Sequence, residues 1–307
     1  MLCLRCSSPI DLQDLEKRPH YGLHKECFLS WFNVPEIVYF TDLTRKSNQS
    51  FNTGIHTKHN SFFHGAFKKY SATLCGSSYI LKMREKEKGP ELPEVEYLCN
   101  QIGKYLSIPV AEFYIVDFEG DKIFVTKNFA TSNSPSDLQH IYHFLQGKEH
   151  NCKNLIQIVA EKTKRPYDVE ILVQTILYDA LIGNHDRHGR NLAFLTTSNN
   201  TALSPIYDNV SYLALEQGNM LKADFNPAGT IWIEGNTEPR MKEYTQELKQ
   251  LGYKEIIKNF YNKIKMHELE NLIRHSFCSK LMKDAISKLI NKRFKELEDE
   301  IKSETRL

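Results

Sequence analysis

The sequence predicts an α+β protein with two lobes, the first rich in strands and the second helical. Two pairs of short strands are predicted between residues 70 and 129, and a glycine lies in the turn of each pair. After Ala130 the apolar residues recur at helical spacing. A long apolar stretch over residues 169–182 predicts a buried helix that ends at Gly183. The predicted division is an N-terminal cap over residues 1–40, an N-lobe over 41–129 and a C-lobe over 130–307.

The composition of the 307-residue chain excludes several classes of protein. It has 41% hydrophobic and 25% charged residues and a formal net charge of +2, which does not favour a dedicated nucleic-acid or membrane-surface binder. Seven cysteines in a chain long enough to bury a core predict free thiols in a reducing compartment. The first residues lack a secretory-signal pattern and no apolar run is long enough to span a bilayer, so we expect a cytoplasmic protein.

The elements of both predicted lobes follow from the spacing of apolar residues and from residues that favour turns. Residues 41–60 are polar and predict a loop. A helix is predicted from Leu92, because Pro93 suits a first turn and apolar residues then recur at helical spacing. The two predicted hairpins are 70–74 with 78–82 and 111–117 with 122–129. In the C-lobe, residues 266–301 predict amphipathic helix, and its charges over 292–300 are expected to face solvent.

The most informative segment is the polar loop at residues 183–194, Gly-Asn-His-Asp-Arg-His-Gly-Arg-Asn-Leu-Ala-Phe. The spacing of Asp186 and Asn191 is that of protein-kinase catalytic loops, where the Asp accepts the substrate hydroxyl proton and the Asn holds Mg²⁺. Asp208 follows a short apolar stretch, where a second metal-binding carboxylate of a kinase would lie. The alternative is that Asp186 and Asp208 only form turns. His188 is expected to brace the loop, the alternative being direct contact with phosphate.

A second set of residues predicts phosphate binding in the N-lobe. Lys82 ends an apolar strand, where a lysine can pair with nucleotide phosphates and with a helix glutamate. Glu96 is preferred over Glu94 for that pairing because it lies beside the apolar face of the predicted helix. The alternative for Lys82 is a charge that keeps an edge strand soluble. Upstream, Gly65 and Lys69 lie in a candidate phosphate-covering loop, although the segment has no glycine triplet.

In this order, these segments resemble the HipA-type toxin kinases over roughly residues 60–300, and the string Asn184–Asn191 is the most specific part. The resemblance implies a serine/threonine protein kinase fold with ATP and Mg²⁺ as cofactors. It also implies residue roles: Asp186 as base, Asn191 and Asp208 as metal ligands, Lys82 on the phosphates, and residues 125–129, with Lys127 and Phe129, as the hinge against adenine. The other matching stretches are residues 61–72, Tyr79–Lys82, Leu92–Glu96 and Tyr207-Asp208.

The resemblance also implies partners. Relatives are toxins of bacterial toxin–antitoxin systems, held in check by a DNA-binding HipB-like antitoxin, and they phosphorylate aminoacyl-tRNA synthetases so that translation stalls. Longer members carry an N-terminal subdomain that the residues before 60 are too few to contain. Short HipT-like members of three-gene systems receive it from a separate protein, so a HipS-like partner is expected. Ser61 is the serine nearest the phosphate loop and is the candidate for autophosphorylation. The sequence does not indicate whether the toxin acts in its own cell or is delivered to another.

Four residues near the N-terminus predict a metal site. Cys3 and Cys6, with His24 and Cys27 further on, have the spacing of a closed tetrahedral zinc site. Such a site would be structural and would stabilise a segment with little core of its own. The alternative is a set of reduced, partly buried thiols in a small helical cap. The remaining cysteines are expected to fill the core; they are Cys75, Cys99, Cys152 and Cys278.

Two other functions were weighed against the kinase. The dyad His185-Asp186 suggests an HD-type metal phosphohydrolase, but Gly183 and Gly189 bracket it and argue against the helix interior that this class requires. A pseudokinase-like binding protein would lack one of the catalytic residues, and all of them are present. No basic helix predicts direct DNA binding by this chain, so an antitoxin would have to contribute it.

Overall fold

The structure, a computed structural model, describes residues 1–11, 20–46, 69–85, 87–118, 120–130, 137–198, 200–223 and 228–303. The chain divides into two compact units. Unit 1 contains Met1–Tyr97 and Glu112–Phe129, and unit 2 contains Leu98–Ala111 and Ala130–Leu307. The predicted limits of a cap, an N-lobe and a C-lobe stay predictions. Within the described residues, no helix is both long and apolar enough to cross a membrane.

Unit 1 is built on a five-stranded antiparallel sheet in the order β1-β2-β3-β5-β4. The strands are β1 (Thr41–Lys46), β2 (Lys69–Leu74), β3 (Ser77–Lys82), β4 (Phe113–Phe118) and β5 (Asp121–Lys127). The two predicted hairpins are confirmed as β2–β3 and β4–β5. The predicted loop was wrong over Thr41–Lys46, which pairs with β2. This edge strand has no buried face, so its sequence lacks the alternation that identifies a strand.

Unit 1 also contains helix α1 (Lys25–Phe32) and the first part, residues 92–97, of helix α2 (Leu92–Tyr105). Helix α1 inserts Phe32, whose ring centroid lies 4.3 Å from that of Tyr114 and 5.9 Å from that of Tyr79. Side chains alternate along a strand, so Tyr79 and Lys82 lie on opposite faces of β3. Helix α2 supplies the glutamate that meets Lys82. Phe32 of α1 and Glu96 of α2 therefore contact opposite faces of β3.

Unit 2 is mainly helical, with one small antiparallel sheet in the order β6-β7-β8. The strands are β6 (Asp137–His140), β7 (Ala193–Thr196) and β8 (Thr201–Leu203). Two 3₁₀ helices are named η1 (Tyr212–Leu215) and η2 (Gly218–Lys222). The helices are α3 (Tyr142–Leu145), α4 (Cys152–Thr163), α5 (Pro166–Ile182), α6 (Met241–Gln250), α7 (Lys254–Lys263), α8 (Met266–His275) and α9 (Lys280–Ser303). Helix α5 is central and packs against α4, α6, α7 and α9.

The C-terminal part of unit 2 corrects one expectation. The predicted amphipathic stretch is helical, as expected, and contains two helices, α8 and α9. Most charged residues over 292–300 do reach solvent, but Arg293 is fully buried, with 0% exposure. The expectation of a solvated face was therefore wrong at this residue. Arg293 lies at helical spacing with the buried Ile286, Leu289 and Ile290, so it belongs to the inward stripe of α9.

Candidate functional site

The catalytic-loop candidate begins where α5 ends. Pro166 starts this helix and Gly183 ends it in the left-handed conformation, with φ 69°. A side chain at Gly183 would meet the Tyr212 ring at 2.9 Å, so the close packing as well as the conformation requires glycine. The chain therefore turns sharply out of a buried helix into the polar loop.

Arg187 is the centre of a buried network in this loop. Its side chain has 0% exposure, and its guanidinium holds both carboxylate oxygens of Asp179, with Nε 2.8 Å from Oδ2 and Nη2 3.1 Å from Oδ1. Burial alone would lower the pKa of Arg187, but the Asp179 carboxylate reverses this and raises it. The pair is a bidentate ion pair in the core, and it fixes the loop to α5.

The same guanidinium reaches two other backbone segments. Nη1 donates to the carbonyl of Asn191 at 3.1 Å and to that of Tyr207 at 2.7 Å, and Nη2 donates to Oδ1 of Asn209. Nδ2 of Asn209 in turn donates to Oδ1 of Asn100 on α2, at 2.9 Å. Arg187 therefore joins the loop that carries Asp186 to the segment that carries Asp208.

Asp186 lies at the exposed edge of this framework. Its side chain is 59% exposed, while its backbone is held: its N–H donates to Oδ1 of Asn184 at 3.0 Å. Asn191 is buried, and its Nδ2 donates to the carbonyl of Asp186 at 2.6 Å. Since the amide nitrogen of Asn191 is used in this way, its Oδ1 is the atom suited to bind a metal. The loop thus presents one exposed carboxylate and one amide oxygen from a fixed backbone.

Asp208 has an uncommon backbone conformation. Its φ is 53°, in the left-handed region, and it stands between two buried residues, Tyr207 and Asn209. The Tyr207 hydroxyl donates to the carbonyl of Arg190 at 3.0 Å, and burial raises the pKa of this tyrosine. Both neighbours of Asp208 are thus bound to the catalytic-loop candidate, so its carboxylate is carried on a constrained backbone.

His188 contacts the loop on two sides. Its Nδ1 accepts a hydrogen bond from the N–H of Arg190 at 3.2 Å, and its Nε2 lies 3.5 Å from Oδ1 of Asp186. The expectation that it braces the loop agrees with these contacts, and a direct contact with the nucleotide phosphates stays a prediction. His185 stacks on Tyr212, with ring centroids 4.5 Å apart.

The phosphate-binding candidates of unit 1 centre on Lys82. Its Nζ forms an ion pair with Oε1 of Glu96, and the two side chains are 5% and 1% exposed. Lys82 pairs directly with Lys69 on β2 and with Phe124 on β5, so these three side chains share one face of the sheet. Lys69 is buried as well. Lys82 is therefore a buried paired lysine, and the soluble-edge alternative does not apply because β3 is an inner strand.

The neighbouring glutamate has a different partner. Glu94 forms an ion pair with Arg84, and burial raises the pKa of Glu94 against the opposing effect of that arginine. The preference for Glu96 over Glu94 as the partner of Lys82 is thus confirmed. The reason is helical spacing, which turns residues two positions apart to different sides of α2.

The remaining predicted residues of unit 1 are less constrained. Lys127 ends β5, and its Nζ lies 3.7 Å from Oε2 of Glu112, with both side chains substantially exposed. Phe129 follows β5 and is partly buried. Their hinge role stays a prediction. Gly65 and Ser61 lie outside the described residues.

Sequence reasoning missed the buried framework of the loop. Asp179, Arg187 and Asn209 were not singled out, although they hold Asp186 and Asn191 in place. A signal was present for Asp179, because it is a charged residue inside an otherwise apolar helix. Nothing in the sequence distinguished the buried Arg187 from the exposed Arg190 three positions later.

The four predicted metal ligands come together in unit 1. One ligand atom from each of Cys3, Cys6, His24 and Cys27 lies within 4.8 Å of the others. His24 has its Nδ1 3.4 Å from Sγ of Cys6, and its Nε2 lies 3.0 Å from the Pro9 carbonyl. That contact fixes the ring so that Nδ1 faces the thiols, as in zinc sites with an oriented histidine.

The chemistry of this cluster fits zinc. Three thiols and one imidazole are a common donor set for closed structural zinc sites. A hydrogen bond from the Ser8 backbone lowers the pKa of Cys6 to about 6, which favours the thiolate that binds metal. Among the other cysteines, Cys99, Cys152 and Cys278 are buried as expected. The expectation was wrong for Cys75, which is exposed because it lies in the turn between β2 and β3.

A buried lysine–glutamate pair in a strand-rich unit and an Asp/Asn loop in a helical unit are features of a protein-kinase-like protein. Residues 55–287 match the model of the HipA-like C-terminal domain, and the chain belongs to this family. The family resemblance is thereby confirmed, and the assignment to the short, three-component type stays a prediction. His185 and Asp186 lie in a turn and not inside a helix, which argues against the HD-type alternative.

Known proteins similar to this chain agree with the family. The serine/threonine-protein kinase toxin HipA of Shewanella oneidensis is 25% identical over 185 residues, which cover 52% of this chain and 42% of the relative. The chain thus matches less than half the length of this relative.

Two solved structures show the fold. The Helicobacter pylori proinflammatory kinase CtkA matches with a TM-score of 0.65 and 17% identity, over 79% of this chain and 92% of that one. The HipA chain of the Shewanella oneidensis MR-1 complex with HipB and operator DNA matches with a TM-score of 0.54 and 19% identity, over 76% of this chain and 62% of that one. The predicted α+β, protein-kinase-like fold is therefore confirmed.

Proposed function

We propose that the protein is an ATP-dependent serine/threonine protein kinase. The observation that carries this proposal is the loop geometry, in which a buried arginine holds the backbone while Asp186 stays exposed and Asn191 donates to its carbonyl. Phosphoryl transfer requires little covalent chemistry from a protein, so accurate positioning and fixed charges supply most of the catalysis. This loop meets that requirement, because buried hydrogen bonds hold its backbone while the carboxylate of Asp186 is exposed.

Each residue has a role in this proposal. Asp186 orients the incoming hydroxyl and accepts its proton as the bond to the γ-phosphorus forms, while the bond from that phosphorus to the bridging oxygen breaks and ADP leaves. Oδ1 of Asn191 and the carboxylate of Asp208 hold Mg²⁺, since hard oxygen ligands suit this ion. When bound, the ion neutralises charge on the phosphates. His188 stays beside Asp186 and braces the loop.

The buried lysines support binding of a polyphosphate. Lys82 and Lys69 lie opposite each other on one face of the sheet, and Glu96 is the carboxylate paired with Lys82. The triphosphate of ATP would bring negative charge to this face, where two buried cations lie close together. Gly65, in the proposed phosphate loop, and residues 125–129, as the adenine hinge, complete this part of the proposal.

The biological role follows from family membership. We infer a bacterial, cytoplasmic toxin of a toxin–antitoxin system that phosphorylates an aminoacyl-tRNA synthetase. A HipB-like antitoxin would supply DNA binding, and a small HipS-like protein would supply a further N-terminal subdomain. Autophosphorylation at Ser61 is proposed as the regulatory step. Support comes from the relative named a kinase toxin and from the solved HipA complex that contains HipB.

The test compares Asp186→Asn with Asp284→Asn, a matched change at an exposed aspartate on α9. With labelled ATP, Mg²⁺ and a lysate depleted of small molecules, Asp186→Asn is expected to lose about 10²–10⁴-fold in phosphoryl transfer, because a positioned general base contributes that much. ATP binding should persist in both variants. Undiminished transfer by Asp186→Asn would contradict the assignment.

The alternative function is a pseudokinase-like binding protein. It predicts measurable ATP binding by the wild type with no transfer to any protein, including itself. The wild type should therefore be assayed with aminoacyl-tRNA synthetases, the proposed substrates, one at a time, and each should be recovered to check for a labelled serine or threonine. Failure to bind ATP at all would contradict both functions.

We also propose that Cys3, Cys6, His24 and Cys27 hold a structural Zn²⁺. The cluster connects the N-terminal segment to α1, whose Phe28 is buried and whose Phe32 packs on the sheet. A closed set of four protein ligands leaves no position for a substrate, so this metal would act in folding and not in catalysis.

A further inference from the structure

The catalytic-loop candidate contains two arginines with opposite surroundings. Arg187 is buried, and its guanidinium is paired with the carboxylate of Asp179. Arg190, three residues later, is exposed. Among the residues that the structure describes, no carboxylate pairs with the guanidinium of Arg190, which lies over the ring of Tyr142. One arginine therefore holds the loop together, and the other presents its charge to solvent.

The backbone of Arg190 is held on both sides. Its N–H donates to Nδ1 of His188 at 3.2 Å, and its carbonyl accepts a hydrogen bond from the hydroxyl of Tyr207 at 3.0 Å. The other ring nitrogen of His188, Nε2, lies 3.5 Å from Oδ1 of Asp186. One imidazole ring therefore separates the backbone of Arg190 from the carboxylate that is proposed to accept the proton of the substrate hydroxyl.

The side chain of Arg190 is oriented by Tyr142. Its Cζ lies 5.3 Å from the centroid of this ring, within the range of a cation–π contact. Tyr142, the first residue of α3, is bound to the same loop, since its N–H donates to the carbonyl of Gly189 at 2.9 Å. A side chain at Gly189 would meet the backbone of Tyr142 at 3.2 Å, so the two segments are in close contact. The ring therefore restricts where the guanidinium can lie.

This arrangement leaves hydrogen-bond donors of the arginine available. A guanidinium that lies over an aromatic ring interacts through its charge and its flat face, and the N–H groups at its edge can still bind another group. Their fork geometry matches the two oxygens of a carboxylate. The ring of Tyr142 is itself 53% exposed, so the site is open to solvent. Arg190 and Tyr142 together have the chemistry of a binding site for an acidic side chain.

The position of this pair favours the protein substrate over the nucleotide. Arg190 is exposed, whereas the next residue, Asn191, is buried and is proposed to bind Mg²⁺. The arginine thus turns outward where its neighbour turns inward. An extended chain advances by roughly 3.3 Å per residue, so side chains within three residues of the acceptor hydroxyl lie around Asp186. A carboxylate in that stretch would come within reach of Arg190.

We propose that Arg190, held over Tyr142, determines substrate specificity by binding an aspartate or glutamate within three residues of the phosphorylated serine or threonine. The inference rests on the proposed kinase function and adds to it a preference for acidic acceptor sites. Arg190 contacts the substrate, and Tyr142 is a positioning residue that acts through Arg190.

The experiment measures transfer from labelled ATP to synthetic seven-residue peptides with a central serine. The flanking positions hold mixed residues, and one position at a time is fixed as Glu, Gln or Lys. With the wild type, Glu at one or two positions is expected to raise kcat/KM about tenfold over Gln, the size of one charge-assisted contact. With Arg190→Glu, Lys should become the preferred residue at the same positions.

Further variants separate positioning from folding. Tyr142→Ala should reduce the preference for Glu about two- to fivefold, because it removes the contact that orients the arginine, and Tyr142→Phe should restore it. A structural role of the ring alone would lower the rate on all peptides alike. Arg274→Glu changes an exposed arginine on α8 and is the matched control, which should keep the wild-type preference. Thermal unfolding of each variant checks that the fold is retained.

Four results would overturn the proposal. Equal rates with Glu, Gln and Lys in the wild type would exclude recognition of charge beside the acceptor, and so would labelling of lysate proteins without labelling of any peptide. An unchanged preference in Arg190→Glu would assign the recognition to another residue. A higher KM for ATP in that variant, with the peptide preference unchanged, would place the guanidinium on the nucleotide phosphates.

Failure of the proposed function would give a different result. No transfer by the wild type, either to the peptides or to lysate proteins, would contradict the kinase activity and with it this inference.

Discussion

The catalytic-loop candidate and the N-terminal Cys/His cluster are both short polar segments, but they are held in place differently. The loop is fixed by a buried guanidinium that bonds to Asp179 and to two carbonyls. The cluster brings Cys3, Cys6, His24 and Cys27 together with few hydrogen bonds between them. The first segment is organised by the protein alone, whereas the second has four candidate metal ligands at its centre.

In the loop, the residues that hold the backbone are therefore different from the residue that is proposed to react. The residues that hold the loop are buried, and Asp186, which is proposed to react, is exposed. Its removal should therefore spare the fold, while removal of Arg187 should not. In the cluster the same residues would both hold the segment and bind the proposed ion, so metal binding and stability should be lost together.

The largest effect is expected for Arg187→Met, which would show the framework role of the guanidinium. The change leaves the carboxylate of Asp179 buried without its partner and should lower the free energy of unfolding by about 3–5 kcal/mol. Arg190→Met is the matched control, because Arg190 is exposed, and should change stability by no more than about 0.5 kcal/mol. Urea unfolding of both variants is the measurement. Equal stability would contradict the framework role.

Removal of metal from the cluster should have a smaller effect. At free Zn²⁺ a hundredfold above Kd, binding adds about 2.7 kcal/mol to the free energy of unfolding. His24→Ala and Cys6→Ser should abolish the bound zinc, which is measured by metal analysis of the purified protein, and should lower stability accordingly. Cys75→Ser is the control, since this exposed thiol lies in a hairpin turn.

Hydrogen exchange tests whether removal of metal affects the Cys/His cluster and the catalytic-loop candidate differently. Chelation should speed exchange in α1 and leave residues 183–191 unchanged, because the loop is fixed without the ion. Zinc retained by both ligand variants would contradict the site. Equal exchange changes in α1 and in the loop would contradict the distinction between the two segments.

The smallest effect concerns His150, whose Nε2 lies 2.8 Å from the carbonyl of Arg187. Burial lowers the pKa of His150 below the ordinary value of 6.5, and the charge of His188 lowers it further against the effect of this bond. The unfolded chain then binds the proton more readily, so this contribution to stability is present above pH 6.5 and lost as the pH falls through the folded pKa.

The variant His150→Gln keeps a donor without the titration. It should reduce the loss of stability between neutral and acidic pH, a change on the order of 1 kcal/mol or less, the size of one hydrogen bond. His267→Gln is the control because His267 is 77% exposed. Unfolding curves at pH 7.5 and 5.5 give the measurement. Identical pH dependence in wild type and His150→Gln would exclude His150 as the cause.

Local pattern was enough to predict the two hairpins, the buried helix that ends at Gly183 and the pairing of Lys82 with Glu96. These features depend on neighbours in sequence or on one helical turn. The local sequence pattern was insufficient for β1, which has no buried face, and for Arg293. The burial of Arg293 depends on the packing of helices that are distant in sequence. Helical periodicity shows which face turns inward but not that a cation is tolerated there.

The candidate site shows the same limit. The sequence pointed to Asp186, Asn191 and Asp208 because their types and spacing are those of a reaction centre. It did not identify Arg187, since the loop contains two arginines and only the tertiary contacts with Asp179 and Tyr207 decide which is buried. Residues that touch a substrate leave a chemical pattern in the sequence. Of the residues that hold them, Asp179 had a signal as a charge inside an apolar helix, but Arg187 is recognised only from the fold.

The division of the chain into units has a consequence for recombination among relatives. Residues 98–111 precede the last segment of unit 1 but belong to unit 2. There Tyr178 donates to the carbonyl of Cys99 at 2.7 Å, and Asn209 bonds to Asn100. A single genetic crossover after Phe129 would therefore join residues 98–111 from one parent to partners from the other. Exchange of a whole unit needs three crossovers, so we expect relatives to have inherited the two units together.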